Sequence, residues 1–296
     1  MTRPLIIFGA EGQVGWELQR SLVLLGPLLP LGRGQVDLAD PAAVRAAIRD
    51  IDPSAIINAG AFTAVDLAES EEATARAVNE VAPATMAAET RALGIPLVHF
   101  STDYVYDGDQ DGPYLETDPP NPRSVYGRSK LAGDEAIAAS GADYLILRTS
   151  WVFAARGQNF LQTILRLAAE RSSLTVVADQ FGAPTAAELL ADVTARALPA
   201  LQAGTASGGI YHCTAAGETS WYDYARFIVG EAGKLGASLQ LGPEQIKPIS
   251  TAEYPRPAAR PANSRLDCRR LEQAFGLTLP PWQFHVKRAL KELLAP

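Results

Sequence analysis

Leu5-Ile6-Ile7-Phe8 is an unbroken apolar run that leads without a spacer into Gly9-Ala10-Glu11-Gly12-Gln13-Val14-Gly15. A run without polar alternation suits a strand buried on both faces, and such strands occur in parallel sheets covered by helices. Trp16-Glu17-Leu18-Gln19-Arg20 then reads as helix, so the glycines occupy a strand-to-helix turn. There they let the backbone turn tightly and approach a pyrophosphate, whose charge is favoured at the helix N-terminus. The spacing is Gly-x-x-Gly-x-x-Gly rather than the commoner Gly-x-Gly-x-x-Gly. A plain strand-to-helix turn is the alternative.

The same alternation continues down the chain. Leu28 to Leu31 reads as a second strand, ending at Gly32-Arg33-Gly34. Asp40 and Pro41 start a helix to Asp50, as N-cap and first helical residue. Ala55 to Ala61 reads as a third strand ending in small residues, which leave room for a ligand at the mouth of an open sheet. Ala73 to Leu93 is a long helix interrupted near Pro83, and Pro96 to Phe100 a fourth strand delivering Ser101-Thr102-Asp103 to that mouth. His99, inside this strand, is expected to be a packed residue and not a catalyst. Asp107 to Asn121 is loop, and Tyr144 to Arg148 a fifth strand. This order predicts an α/β fold, a Rossmann-like doubly wound parallel sheet, over residues 1–150.

After residue 150 the rhythm loosens. Helices are expected over Asn159–Glu170, Ala186–Leu198 and Trp221–Gly230, with short strands over 174–178 and 209–214. Residues 151–296 therefore read mainly as a smaller C-terminal α/β substrate domain, with a segment near 186–215 returning to the first. Pro257 and Pro261 keep the stretch from Arg256 to Arg265 out of regular structure.

Two features suggest chemistry. Arg33 stands where a chain selecting NAD usually carries an acid for the ribose hydroxyls, and no acid follows until Asp37. A guanidinium suits a 2′-phosphate, which favours NADPH over NADH, with a solvated loop arginine as the alternative. Tyr126 and Lys130 are four apart, on one face of an expected helix. A neighbouring ammonium favours the ionised phenol and brings its pKa toward working pH. An ordinary solvated helix face would look the same, so the pair gains weight from following the glycine turn and Thr102 in that order.

Composition removes other classes. The net charge of −7 comes without a basic block, which argues against nucleic acid and anionic membranes as partners. Cys213 and Cys268 are isolated, so neither a disulfide framework nor a thiolate metal site is expected. No apolar run approaches a membrane span, and the apolar start is too short for a signal peptide, so a cytoplasmic location is expected.

The stretches GAEGQVGWELQR from Gly9, AFTAVDLAES from Ala61, STDYVY from Ser101, VYGRSKLAG from Val125, RTSWV from Arg148, DQFGAPT from Asp179 and RPANSRLD from Arg260 carry a closer identification. Together they resemble the extended short-chain dehydrogenase/reductase family over nearly the whole chain. Those from Arg148 onward are similar to its dTDP-keto-sugar reductase branch. The resemblance implies NADPH-dependent reduction of the C4 ketone of dTDP-4-dehydro-L-rhamnose, with Tyr126 as proton donor. Lys130 would assist the phenol and bond the nicotinamide ribose, and Thr102 would hold the ketone oxygen.

It further implies that Gly9, Gly12, Gln13, Val14 and Gly15 line the pyrophosphate, that Asp37 and Leu38 lie beside the adenine, and that Ala59, Ala61 and Thr63 follow the cofactor. Substrate contacts are implied for Thr102, Asp103, Val105, Tyr126, Trp151, Asn159, Gln180, Phe181, Gly182, Pro184, Arg260 and Asn263. For Trp151 and Phe181, core packing is the alternative. Members form homodimers with Mg²⁺ among carboxylates, and Glu17, Glu188 and Glu292 match those positions. Some relatives carry an acid where this chain has Gly32-Arg33, so use of NADH beside NADPH is left open. Reduction of another nucleotide-4-keto-6-deoxyhexose, or a non-catalytic NADP-binding regulatory role, are the alternatives.

Overall fold

The computed structural model describes residues 3–295. Its principal strands in chain order are β1 (Leu5–Phe8), β2 (Leu28–Leu31), β3 (Ala55–Asn58), β4 (Leu97–Thr102), β5 (Tyr144–Thr149), β6 (Leu174–Val177), β7 (Gly209–His212) and β8 (Ile246–Ile249), with further pairings of two residues each. The principal helices are α1 (Gln13–Leu22), α2 (Pro41–Ile51), α3 (Ala82–Leu93), α4 (Val125–Ala139), α5 (Phe160–Glu170), α6 (Ala187–Gln202), α7 (Trp221–Lys234) and α8 (Trp282–Leu293). Six strands form one parallel sheet in the order β7-β5-β4-β3-β1-β2. The expected return of the later chain to this sheet is seen in β7, which pairs with β5. β6 and β8 pair with each other outside it.

Both faces of the sheet are covered, which is why its strands read as continuous apolar runs. Leu5, Ile7, Ile57, Val98, Phe100 and Leu147 face one side and pack with Leu18 and Leu22 of α1 and Leu190 and Val193 of α6. Ile6, Phe8, Ile56, Leu97 and Ile146 face the other, against Val44 and Ile48 of α2 and Met86 of α3. β1 pairs with β2 on one side and β3 on the other, so the chain reverses its winding there. Open sheets bind ligands at the carboxyl ends of strands flanking such a reversal.

Local signals explain the helix starts. Asp40 accepts from the amides of Ala42 and Ala43 ahead of Pro41, and Ser124 Oγ accepts from the Gly127 amide at 3.1 Å to begin α4. Two boundaries differ from expectation. β3 stops at Asn58, releasing Ala59 to Ala61 as irregular backbone, while β4 continues to Thr102. The helix expected from Ala73 to Leu93 is divided by a π-turn over Ala77–Val81, before Pro83. Asn79 lies within that insertion, and its side chain ties it to two other segments. Its amide receives the Phe62 N–H at 2.8 Å and donates to Phe62 O and to Ser129 Oγ on α4. No described helix is long and apolar enough to cross a membrane.

Candidate active site

The glycine turn forms a cradle at the sheet reversal. Gly9 has φ +76°, and a methyl group there would overlap the backbone of Ala59 and Gly60. A side chain on Gly15 would strike Gly9, so α1 approaches β1 closely. α1 opens without a side-chain cap and without an acid in its first turn, leaving its leading N–H groups for an anion. These features fit a dinucleotide pyrophosphate. Leu38 packs over Gly60. Asp37 spends Oδ1 on the Ala39 amide. Arg33 is exposed at the end of β2 and has no ion pair among the described residues. Ala59 and Ala61 are half-buried at the strand mouth, and Thr63 is exposed beyond them. Gln13 Oε1 accepts from Asn159 Nδ2 at 2.8 Å, tying the loop to the later chain.

Thr102, Tyr126 and Lys130 meet at the carboxyl end of β4, all nearly inaccessible. The Thr102 hydroxyl donates to Asp103 Oδ1 at 3.0 Å and accepts from the Tyr104 amide. The ring of Tyr104 meets that of Tyr126 edge-on at 5.4 Å. Lys130 Nζ lies 3.0 Å from His99 Nε2 and donates to Phe100 O at 2.7 Å.

The expected depression of the phenol pKa by Lys130 is corrected here. Burial dominates and holds Tyr126 above its ordinary value, while the lysine is directed at His99 and Phe100. Burial also brings Lys130 down to about 8, against Asp134, and lifts Asp103 to about 6 against bonds from Ser264 and Thr102.

A cavity of about 780 Å³ opens beside these groups, lined by Tyr104, Trp151, Gln180, Trp221, Arg260 and Ser264 among others. Trp151 takes a left-handed φ of +50°, rare for a bulky residue, and stacks on Trp221 at 3.6 Å. Gly182 lies directly under its indole, and Pro184 is buried behind. Gln180 reaches Thr251 Oγ1. Arg260 pairs with Asp66 at 2.9 Å, yet its buried Nη1 has no partner, a donor suited to an anionic ligand.

Other expected contact residues have partners within the fold. Val105 is fully buried with Tyr106, Tyr114 and Leu266, so its side chain serves the core. Phe181 is outside the cavity lining and 39% exposed. Asn263 spends its amide on Gln110 O, Gly112 O and Arg265, and Asn159 spends its own on capping α5 and holding Gln13. Both side chains fasten loops, because their hydrogen-bonding capacity is used within the protein.

Glu17, Glu188 and Glu292 do line a common pocket of about 240 Å³. Arg288 clamps Glu188 through two nitrogens, and Arg20 holds Glu17. Among the described residues no three His, Cys, Asp or Glu side chains are grouped to hold a metal, so this donor set does not fit Mg²⁺ within one chain.

Several polar groups of the site leave only a faint mark in the sequence. His99 is packed, as expected, but its ring bonds both Asn58 and Lys130. Beside it, Arg148 pairs with Asp134 at 3.0 Å, Ser101 donates to the same carboxylate, and Tyr106 joins Arg148 to His212. Their signal is a polar letter inside an apolar strand: Asn58 after Ile57, His99 between Val98 and Phe100, Arg148 after Leu147.

Residues 2–295 match the family described as RmlD substrate binding domain. A dTDP-4-dehydrorhamnose reductase of Burkholderia thailandensis is 48% identical over 295 residues, 98% of this chain and 99% of that one. Its counterpart in Escherichia coli K12 is 47% identical over 293 residues, 98% and 97% of the two chains. The crystal structure of dTDP-4-dehydrorhamnose reductase from Bacillus anthracis in complex with NADP superposes with a TM-score of 0.90 at 32% identity, covering 99% of this chain and all of that one. A Thermus thermophilus UDP-glucose 4-epimerase complex with NAD, 20% identical with a TM-score of 0.79, shares the fold.

Proposed function

From the premise that this chain belongs to the dTDP-4-dehydrorhamnose reductase family, we propose that Thr102, Tyr126 and Lys130 are its catalytic residues. The chain is an NADPH-dependent oxidoreductase of dTDP-rhamnose biosynthesis, reducing the C4 ketone of dTDP-4-dehydro-L-rhamnose. Bound NADPH supplies the hydride that reaches the sugar C4. Tyr126 gives its proton to the oxygen as alkoxide develops, and its burial keeps it protonated until then. Thr102 holds the ketone oxygen in line with the phenol. Lys130 bonds the nicotinamide ribose and, as ammonium, stabilises the tyrosinate left behind. Gly9, Gly12 and the first turn of α1 hold the pyrophosphate, and Arg33 takes the 2′-phosphate, which favours NADPH over NADH. Trp151, Gln180 and Arg260 receive the dTDP-sugar, with the unpartnered Arg260 Nη1 on an anionic oxygen. No step runs through Mg²⁺.

Residues 1–150 together with 186–215 act as the cofactor unit, and most of the remainder as the substrate unit. The pairing of β7 with β5 and the make-up of the large cavity support that division. The single observation carrying the assignment is that Thr102, at the end of β4, and Tyr126 and Lys130, in the first turns of α4, are buried together on the side of the sheet where the Gly9 cradle opens. NADPH oxidation by the purified chain with dTDP-4-dehydro-L-rhamnose tests it. Tyr126→Phe should lower kcat by roughly 10²- to 10⁴-fold with NADPH binding retained. Turnover only on GDP- or UDP-keto sugars, or full activity in the variant, would overturn the reading.

A further inference from the structure

Asn58 and His99 are register partners on β3 and β4, so their side chains stand together on one face of the sheet. The Gly60 N–H donates to Asn58 Oδ1 at 3.1 Å. A backbone N–H can only donate, so this bond fixes the amide and turns Nδ2 toward His99 Nδ1, 3.0 Å away. An amide nitrogen also only donates, so Nδ1 accepts and the neutral ring carries its proton on Nε2. That N–H faces Lys130 Nζ at 3.0 Å, while Nζ itself donates to Phe100 O. An ammonium has no acceptor site; a neutral amine does, and only it completes the chain. Protonating Lys130 requires the ring to move its proton to Nδ1, against Asn58 Nδ2. The amide must then turn and release the Gly60 N–H. Gly60 lies against Gly9 in the pyrophosphate cradle.

We propose that Asn58 and His99 are positioning residues that set the charge of Lys130 through this hydrogen-bonded chain, coupling the lysine proton to the Gly60–Gly9 contact. The inference rests on the role given to Lys130 above. Other groups around the amine do not replace the ring. Asp134, one turn along α4, favours the ammonium but is itself held by Arg148 of β5, and Tyr126, one turn earlier, is a buried phenol. Burial places the lysine at about 8, so its proton moves within the working range, and burial keeps His99 neutral.

Lysine labelled with ¹³C at Cε reads this directly in the intact chain, since there are only five lysines and Lys130→Met identifies the signal. Asn58→Asp retains an acceptor for Gly60 and offers a second to His99 Nδ1–H, so a bare Nε2 then faces Lys130. Its titration midpoint should rise by about one pH unit or more. In a His99→Leu background the same substitution should shift it less than half as far, because only the through-space carboxylate remains. His99→Gln, able to accept from Asn58 and donate to Lys130, should keep the wild-type midpoint. The alkaline limb of kcat/KM for NADPH oxidation should move with the NMR midpoint. Equal shifts with and without the ring, no shift in Asn58→Asp, or an unmoved limb would overturn the proposal. The expected midpoints without turnover on the dTDP-keto sugar would support the chain and count against the reductase assignment.

Discussion

Two buried polar clusters stand side by side on one face of the sheet, and both take a residue from α4. In the first, Asp134 meets Arg148 within 3.0 Å, and Ser101, Tyr106 and His212 complete the bonds. In the second, Lys130 meets a neutral histidine and a carbonyl, with no carboxylate in contact. Burial opposes ionisation in both, raising Asp134 and lowering Lys130. Only the first buries opposite charges together. A matched pair can be left alone by the chemistry, whereas a cation without a counter-ion can change protonation near neutral pH. The register explains the proximity: Ser101 aligns with Arg148, which aligns with His212, while Asn58 aligns with His99 two residues earlier on β4.

The largest stability effect should follow from breaking the matched pair. Arg148→Met leaves Asp134 buried without its cation and should cost about 3–5 kcal/mol, read as a fall in the denaturant midpoint at unchanged slope. Asp134→Leu in the same chain should recover most of it. A loss below about 1 kcal/mol in the single variant would mean that the two clusters do not differ as described.

Lys130→Met should behave in the opposite sense, and its effect should depend on pH. Burial depresses the folded lysine from 10.5 to about 8. A depressed lysine contributes stability that is present above the unfolded value and lost as pH falls through the folded one. The unfolded chain binds the extra proton between these values, so wild-type stability relative to Lys130→Met should rise by about 3 kcal/mol from pH 7 to above 10.5. Paired unfolding curves check this. A pH-independent difference would show that the lysine is as well compensated as Arg148.

The regular half of the molecule was legible because its signals are local. Short apolar runs gave β1 to β5, and Asp40 with Pro41 gave the start of α2, since buried parallel strands and capped helices leave short-range patterns. Thr102, Tyr126 and Lys130 could be nominated from spacing and resemblance. What spacing could not convey is where Lys130 points, because His99 is 31 residues away and Phe100 reaches the amine through its carbonyl. The π-turn at Asn79 was hidden for a similar reason: its cause is a grip on Phe62 and Ser129, distant in sequence. The cap and loop bonds of Asn159 and Asn263 were likewise not legible in their spacing.

The smallest effect tests whether α4 holds both clusters as one rigid element. Ser124 is buried at its N-cap and accepts the Gly127 amide, so Ser124→Ala removes one bond from a helix start without touching Lys130 or Asp134. Loss of a cap costs about 1 kcal/mol. Because neither the hydroxyl nor the amide titrates, that cost should be the same at pH 6 and pH 10 if the rest of α4 keeps its place. If the helix shifted, Lys130 would separate from Phe100 O and Asp134 from Arg148, and the two losses would carry different pH dependences. Unfolding free energies of Ser124→Ala at the two pH values separate these cases. A flat penalty means the clusters are independent neighbours on a stiff helix, and a pH-dependent one means the cap couples them.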